Sequence, residues 1–184
     1  MTRSDVQFGL GDLESLLGPL VADEIPAEAG DRPPAGRAAF VHTGDIFASA
    51  TSTVASTILG SCVAVCLWDA RAGVGGMNHF LLPWEVENGI SSPRYGNVAI
   101  RALIGRLETL GSRRTQLLAK VFGGASVIES AVPESESLGA RNVAFAVRAL
   151  AEAGIPVISQ DVGGTRGRKV YFRTDDGSAW VRKL

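Results

Sequence analysis

Ser56-Thr57-Ile58-Leu59-Gly60-Ser61-Cys62-Val63-Ala64-Val65-Cys66-Leu67-Trp68-Asp69 is the stretch that decides the fold. It holds two β-rich apolar runs broken by Gly60-Ser61, which predicts two strands with a tight turn between them. Cys62 follows the turn at the entrance of the second strand. The next apolar run, Gly75-Gly76-Met77-Asn78-His79-Phe80-Leu81-Leu82-Pro83, carries one of the chain's two histidines. A thiol at a strand entrance and an imidazole on the neighbouring strand are the two parts that a cysteine hydrolase needs.

Working outward, strand-like runs cover Ala38–Val41, Ile46–Ala50, Val54–Leu59, Val63–Trp68 and Val74–Leu82. Glu85–Ser92 is a polar loop. A helix is expected over Arg94–Leu110, with Ala99, Leu103, Leu107 and Leu110 on one stripe and Gly111 as its stop. Gln116–Phe122 reads as a strand ending at Gly123-Gly124. A second helix, Ala140–Ala153, would bury Val143, Val147, Leu150 and Ala151, with Gly154 and Pro156 ending it. Ile155–Ser159 is a strand, and Lys169–Arg173 with Ala179–Lys183 form a hairpin around Asp175-Asp176-Gly177. Strands come first in a block and outnumber helices, so the expected fold class is α+β, a layered β-sheet core flanked by helices.

Residues 1–36 differ in composition. Leu10–Val21 could form a short helix, and the Pro-, Gly- and acid-rich stretch after it cannot bury enough to order itself. It is read as a flexible N-terminal extension, with docking of the leucine stretch on a partner left open. Residues 37–184 form the domain.

Composition narrows the function classes. The chain has 184 residues, 46% of them apolar, enough for one domain with a core that needs no staples. A net charge of −1 offers no basic surface for nucleic acid or anionic membrane. No apolar run approaches the roughly 20 residues of a membrane span, and Met1–Gln7 does not resemble a secretory signal. Two cysteines are no disulfide framework, so a cytoplasmic location with reduced thiols is expected.

Cysteine attacks as the thiolate, and a free pKa of about 8.5 leaves little of it at neutral pH. A nearby imidazole takes the proton. Gly60 allows a turn that aims the Ser61 and Cys62 N–H groups outward, where they could hold an oxyanion. Cys66, inside an apolar run, reads as buried and inert. A lone cysteine in such a strand is more often core filler than nucleophile, and a histidine between Met77 and Phe80 is more often an interior residue. Along a strand Cys62 and Cys66 stand about 13 Å apart, beyond disulfide reach. With His79 they are one ligand short of a zinc site, and nothing in the spacing recruits His42, so no metal is expected. Gly123-Gly124 and Gly163-Gly164 do not fit a dinucleotide fingerprint and read as turns.

Leu59–Leu67 and Gly76–Pro83 closely resemble the CheD family, the chemoreceptor glutamine deamidases of bacterial chemotaxis. Arg94-Tyr95-Gly96-Asn97, Ala119–Ala125, Gly139-Ala140-Arg141-Asn142-Val143 and Asp161–Val170 agree in the same order. The similarity covers roughly residues 37–175. It implies hydrolysis of glutamine side-chain amides on chemoreceptor cytoplasmic helices, giving glutamate and ammonia, with methyl-ester hydrolysis at the same sites. It implies a layered α/β structure, Cys62 as nucleophile, His79 as catalytic histidine, and no metal or organic cofactor. The family's third residue, a threonine that orients the histidine, falls on Ser56 by ungapped placement, with Thr57 beside it. The resemblance also implies a CheC-type phosphatase as a binding partner, so a non-enzymatic adaptor is one rival function. An acyl-transfer enzyme or protease using the same dyad is another. An activated Cys62 should react with iodoacetamide well below pH 8.5, which a pure adaptor's thiol should not.

Overall fold

The computed structural model describes residues 23–24, 36–84, 91–126, 133 and 136–184. The helix expected over Leu10–Val21 and residues 85–90 of the polar loop lie outside the described residues. So does the segment read as an extension, apart from Asp23, Glu24 and Gly36.

Among the described residues, ten strands make two five-stranded sheets. In chain order they are β1 (Asp23–Glu24), β2 (Arg37–Phe40), β3 (Ile46–Ser49), β4 (Thr53–Leu59), β5 (Val63–Asp69), β6 (Val74–Asn78), β7 (Leu118–Gly123), β8 (Val157–Val162), β9 (Arg168–Arg173) and β10 (Ala179–Lys183). Helix α1 (Gly96–Thr109) joins β6 to β7, and α2 (Leu138–Glu152) joins β7 to β8. The first sheet runs β1-β10-β9-β4-β2 and the second β3-β6-β5-β7-β8. Thus β4 and β5, neighbours in sequence, belong to different sheets, and the Gly60-Ser61 turn carries the chain between layers. Asp23–Glu24 pairs in parallel with Trp180–Val181 at the edge of the first sheet.

Strand β5 is buried at all seven positions, as expected of the centre of a three-layer stack. Its alternation serves both sides. Val63, Val65 and Leu67 pack with Ala99, Leu103, Leu107, Val143 and Leu150 of the helices. Ala64, Cys66 and Trp68 pack with Ala55, Leu59, Val170, Phe172 and Val181 of the first sheet. Each fully buried aliphatic side chain in these two cores contributes about 1.5–3 kcal/mol. Gly76 makes the helix layer possible, because a Cβ there would meet the Phe47 carbonyl and the Leu103 side chain.

The architecture is the expected α+β layering, with local differences. Both helices lie on one side of the second sheet, so the core is covered by helices on one face only. Leu110 caps α1 and is exposed instead of completing its buried stripe. On α2 the buried stripe is Gly139, Asn142, Val143, Ala146 and Leu150, with Ala146 and Asn142 in place of Val147 and Ala151. The strand expected over Val74–Leu82 ends at Asn78. Beyond it only the Val63–Phe80 bridge continues the pairing with β5.

Candidate active site

Alternation on β4 settles which hydroxyl faces the space between the sheets. Ala55, Thr57 and Leu59 point inward and are essentially fully buried. Ile58, on the other face with Ser56, is 49% exposed. Ser56 Oγ donates to the Ala39 carbonyl at 3.4 Å and makes no hydrogen bond to an imidazole among the described residues. Thr57 Oγ1 donates to the Val41 carbonyl at 2.7 Å and lies 2.9 Å from His79 Nδ1. Its one proton is already committed to Val41, so toward the ring Thr57 can only accept. Nδ1 therefore carries the proton, and Nε2 keeps its lone pair.

His79 is held on every side. Its N–H donates to the Asp45 carbonyl at 3.2 Å, and its carbonyl accepts from the Gly44 N–H at 2.7 Å. Thr43 Oγ1 lies 3.2 Å from Nε2, where it can donate to the lone pair. The 41–45 loop thus grips the backbone and both ring nitrogens, directly or through Thr57. The residue is only 4% exposed. Burial holds the imidazole below its ordinary value. The Val41 carbonyl and the Asp45 carboxylate pull it partly back, and the nearby His42 lowers it further.

Cys62 sits half-buried at the end of the turn. Three successive carbonyls of this turn are tied inward. Gly60 accepts from the Ala125 N–H, Ser61 from Asn142 Nδ2, and Cys62 from the Gly124 N–H, at 2.8, 2.9 and 2.8 Å. Among the described residues, the Ser61 and Cys62 N–H groups donate to no backbone carbonyl.

Register relates the thiol to the ring. Cys66 stands opposite Met77, and Val63 opposite Phe80. Extending that register sets Ala64 across from His79 and Cys62 diagonal to it. Cys62, Ala64, Cys66 and Met77 all pack in the core between the sheets. Diagonal neighbours on one face are about 7–8 Å apart at the backbone, a gap that a thiol and an imidazole can span. No hydrogen bond joins Cys62 to His79 among the described residues; Thr43 engages Nε2 instead. Burial pushes the Cys62 thiol above its ordinary value, with its own N–H pulling it partly back. Ionisation near neutral pH therefore falls to a base such as His79. Cys66 is fully buried, its thiol pushed far up by the same desolvation.

The structure thus brings Thr57 to His79, leaves Ser56 on the opposite face, and sets Cys62 on the shared inter-sheet face. Thr43 and Asn142 are contacts that the sequence did not single out. Asn142 had a signal, a polar side chain on an otherwise apolar helix stripe, whereas loop residue Thr43 had none. Among the described residues no three His, Cys, Asp or Glu side chains cluster in a way that could hold a metal ion. No helix there is long and apolar enough to cross a membrane.

The family model described as CheD chemotactic sensory transduction matches residues 81–183. Its match begins just after His79, while curated relatives extend the similarity upstream. A protein of Anaeromyxobacter dehalogenans, named "Probable chemoreceptor glutamine deamidase CheD 1", is 52% identical over 164 residues, covering 88% of this chain and 95% of its own length. A "Probable chemoreceptor glutamine deamidase CheD" of Sulfurimonas denitrificans is 39% identical over 143 residues, covering 78% of this chain and 92% of its own length. Another of Trichlorobacter lovleyi is 41% identical over 138 residues, covering 75% and 85%. With the motifs of both apolar strands and a family match over most of the helical and C-terminal half, this chain belongs to the CheD family.

Proposed function

We propose that this chain is a cytoplasmic protein-glutamine deamidase acting on the cytoplasmic helices of chemoreceptors in bacterial chemotaxis. Cys62 is the nucleophile, His79 the base and acid, and Thr57 the residue that fixes the ring. The supporting observation is the tautomer. Thr57, its own proton directed at Val41, holds His79 with Nδ1 protonated, leaving on Nε2 a lone pair that takes a proton once Thr43 gives way. The substrate class comes from the relatives, which are named for chemoreceptor glutamines.

In the first half-reaction the Cys62 Sγ–H proton moves to His79 Nε2 as sulfur bonds to the glutamine Cδ. The carbonyl electron pair moves onto oxygen. The N–H groups of Ser61 and Cys62, whose carbonyls are tied inward, are the groups available to stabilise that oxyanion. Collapse of the intermediate breaks the C–N bond, and the Nε2 proton leaves with the amide nitrogen as ammonia. In the second half-reaction His79 Nε2 takes a proton from water as its oxygen attacks the thioester. The C–S bond breaks, sulfur regains its proton, and glutamate is released. A resting pair of neutral thiol and neutral imidazole suits this general-base scheme. Catalytic hydrogen bonds are commonly loose before substrate binds, so Nε2 exchanging Thr43 for the thiol is consistent with it.

The test is incubation of the purified chain with a chemoreceptor signalling fragment, mapping Gln-to-Glu conversion by mass spectrometry. Wild type should convert specific glutamines and Cys62→Ala none. Conversion at the wild-type rate by Cys62→Ala would overturn the assignment.

A further inference from the structure

Asn142 takes no part in the chemistry proposed above, yet it is fully buried on the apolar stripe of α2. Its Nδ2 donates to two carbonyls at once, Ser61 and Leu81, each at 2.9 Å. Those residues flank the two reactive groups: Ser61 immediately precedes Cys62, and Leu81 follows His79 by two. The contact between β5 and the chain beyond β6 ends at Val63 and Phe80. One hydrogen-bonded step further Ser61 would pair with Leu82, but the Leu82 N–H donates to the Arg94 carbonyl instead, at 3.1 Å. There a single side-chain amide bridges the two segments.

Two more observations give the bridge a purpose beyond packing. Asn142 Oδ1 is buried with no hydrogen-bond partner among the described residues, a cost that an apolar residue of similar shape would avoid. The helix is also seated hard against the nucleophile's support. A Cβ on Gly139 would run into the Gly124 carbonyl, in the turn whose Gly124 and Ala125 N–H groups hold Cys62 and Gly60.

We propose that Asn142 is a positioning residue, fixing the spacing between the Cys62 turn and the His79 segment so that thiol and imidazole can exchange a proton. This rests on the assignment of Cys62 and His79 above. An amide is suited to the task because its two N–H donors lie in one plane and can reach carbonyls on diverging chains.

The experiment is a double-mutant cycle on Cys62 alkylation by iodoacetamide at neutral pH, followed at that residue by mass spectrometry on the full chain. His79→Asn and Asn142→Ala should each slow alkylation about 10-fold or more, and the double variant should be no slower than His79→Asn alone. With a receptor fragment, Asn142→Ala should lose about 100-fold in kcat with KM changed by less than about three-fold. If Asn142→Ala folds poorly by circular dichroism, Asn142→Ser, which keeps one donor, replaces it in the cycle. Multiplicative effects, or alkylation at the wild-type rate in the Asn142 variant, would make Asn142 a packing residue and overturn the proposal. Alkylation indifferent to His79→Asn would remove the pair and the positioning role with it. A non-additive cycle in a chain that leaves receptor glutamines untouched would sink the deamidase function and keep the positioning role. Deamidation with a multiplicative cycle would do the reverse.

Discussion

The Thr57 hydroxyl lies 2.9 Å from His79 Nδ1 and donates its hydrogen bond to the Val41 carbonyl at 2.7 Å. This relay spans the two sheets, since Thr57 belongs to the first and the His79 segment continues the second. It makes the interleaf spacing part of the chemistry.

Thr57→Val keeps the shape and removes the relay. Nδ1 and the Val41 carbonyl then lose a buried partner, at about 1–3 kcal/mol for each group left unsatisfied. Deamidation should fall about 100-fold through misplacement of the ring, and Thr57→Ser should recover most of it. Ser56→Ala, on the opposite face, should stay within about three-fold of wild type. Steady-state rates on a receptor fragment, with melting curves for each variant, check all three. A Ser56→Ala loss as large as that of Thr57→Val would move the orienting role to Ser56.

The two cysteines should separate cleanly. Cys66 is sealed in the core among Ala64, Met77 and Phe122. Cys66→Ala should therefore cost about 1 kcal/mol of packing and leave turnover nearly unchanged. Cys62→Ala, at a half-buried turn, should keep the melting temperature and abolish turnover. Parallel melting curves and glutamine conversion distinguish a lost nucleophile from a lost fold.

Much of this was legible in the chain. The order of strands and helices followed from apolar runs punctuated by glycine, because burial on both faces of β5 demands an unbroken apolar sequence. What stayed hidden depended on layers. Ser56 lies out of phase with the period of two, by which Ala55, Thr57 and Leu59 share the inward face. That signal was present in the sequence. The thiol's upward shift was not, since it comes from burial under a second sheet. Nor could any local pattern reveal that Asn142 reaches residues 61 and 81, or that Thr43 lies against Nε2.

Gly123 offers a test of the turn that carries the nucleophile. Its φ of 107° suits glycine, and a Cβ there would strike the Cys62 carbonyl. Gly123→Ala must both strain the backbone, by about 1–3 kcal/mol, and push the Cys62 turn outward. The expected result is a lowered melting temperature together with a loss of turnover beyond the loss of folded protein. Gly154→Ala supplies the contrast. Gly154 also has a positive φ, of 71°, but its Cβ would meet nothing within 4 Å. It should cost stability alone.

The pH dependence follows from His79. Burial lowers its pKa below the ordinary 6.5, so the folded protein holds the ring neutral at pH values where the unfolded chain has begun to protonate it. Between the folded value and 6.5 the unfolded state binds more protons, so stability increases with pH across that window. Put the other way, this contribution is present above 6.5 and is lost as pH falls toward the folded value. His79→Asn should flatten that part of the melting-temperature profile. In the wild type, the acid limb of kcat/KM should lie below pH 6.5, because Nε2 stays available until the folded-state value is reached. An acid limb centred above 6.5 would contradict a buried, neutral His79 as the base.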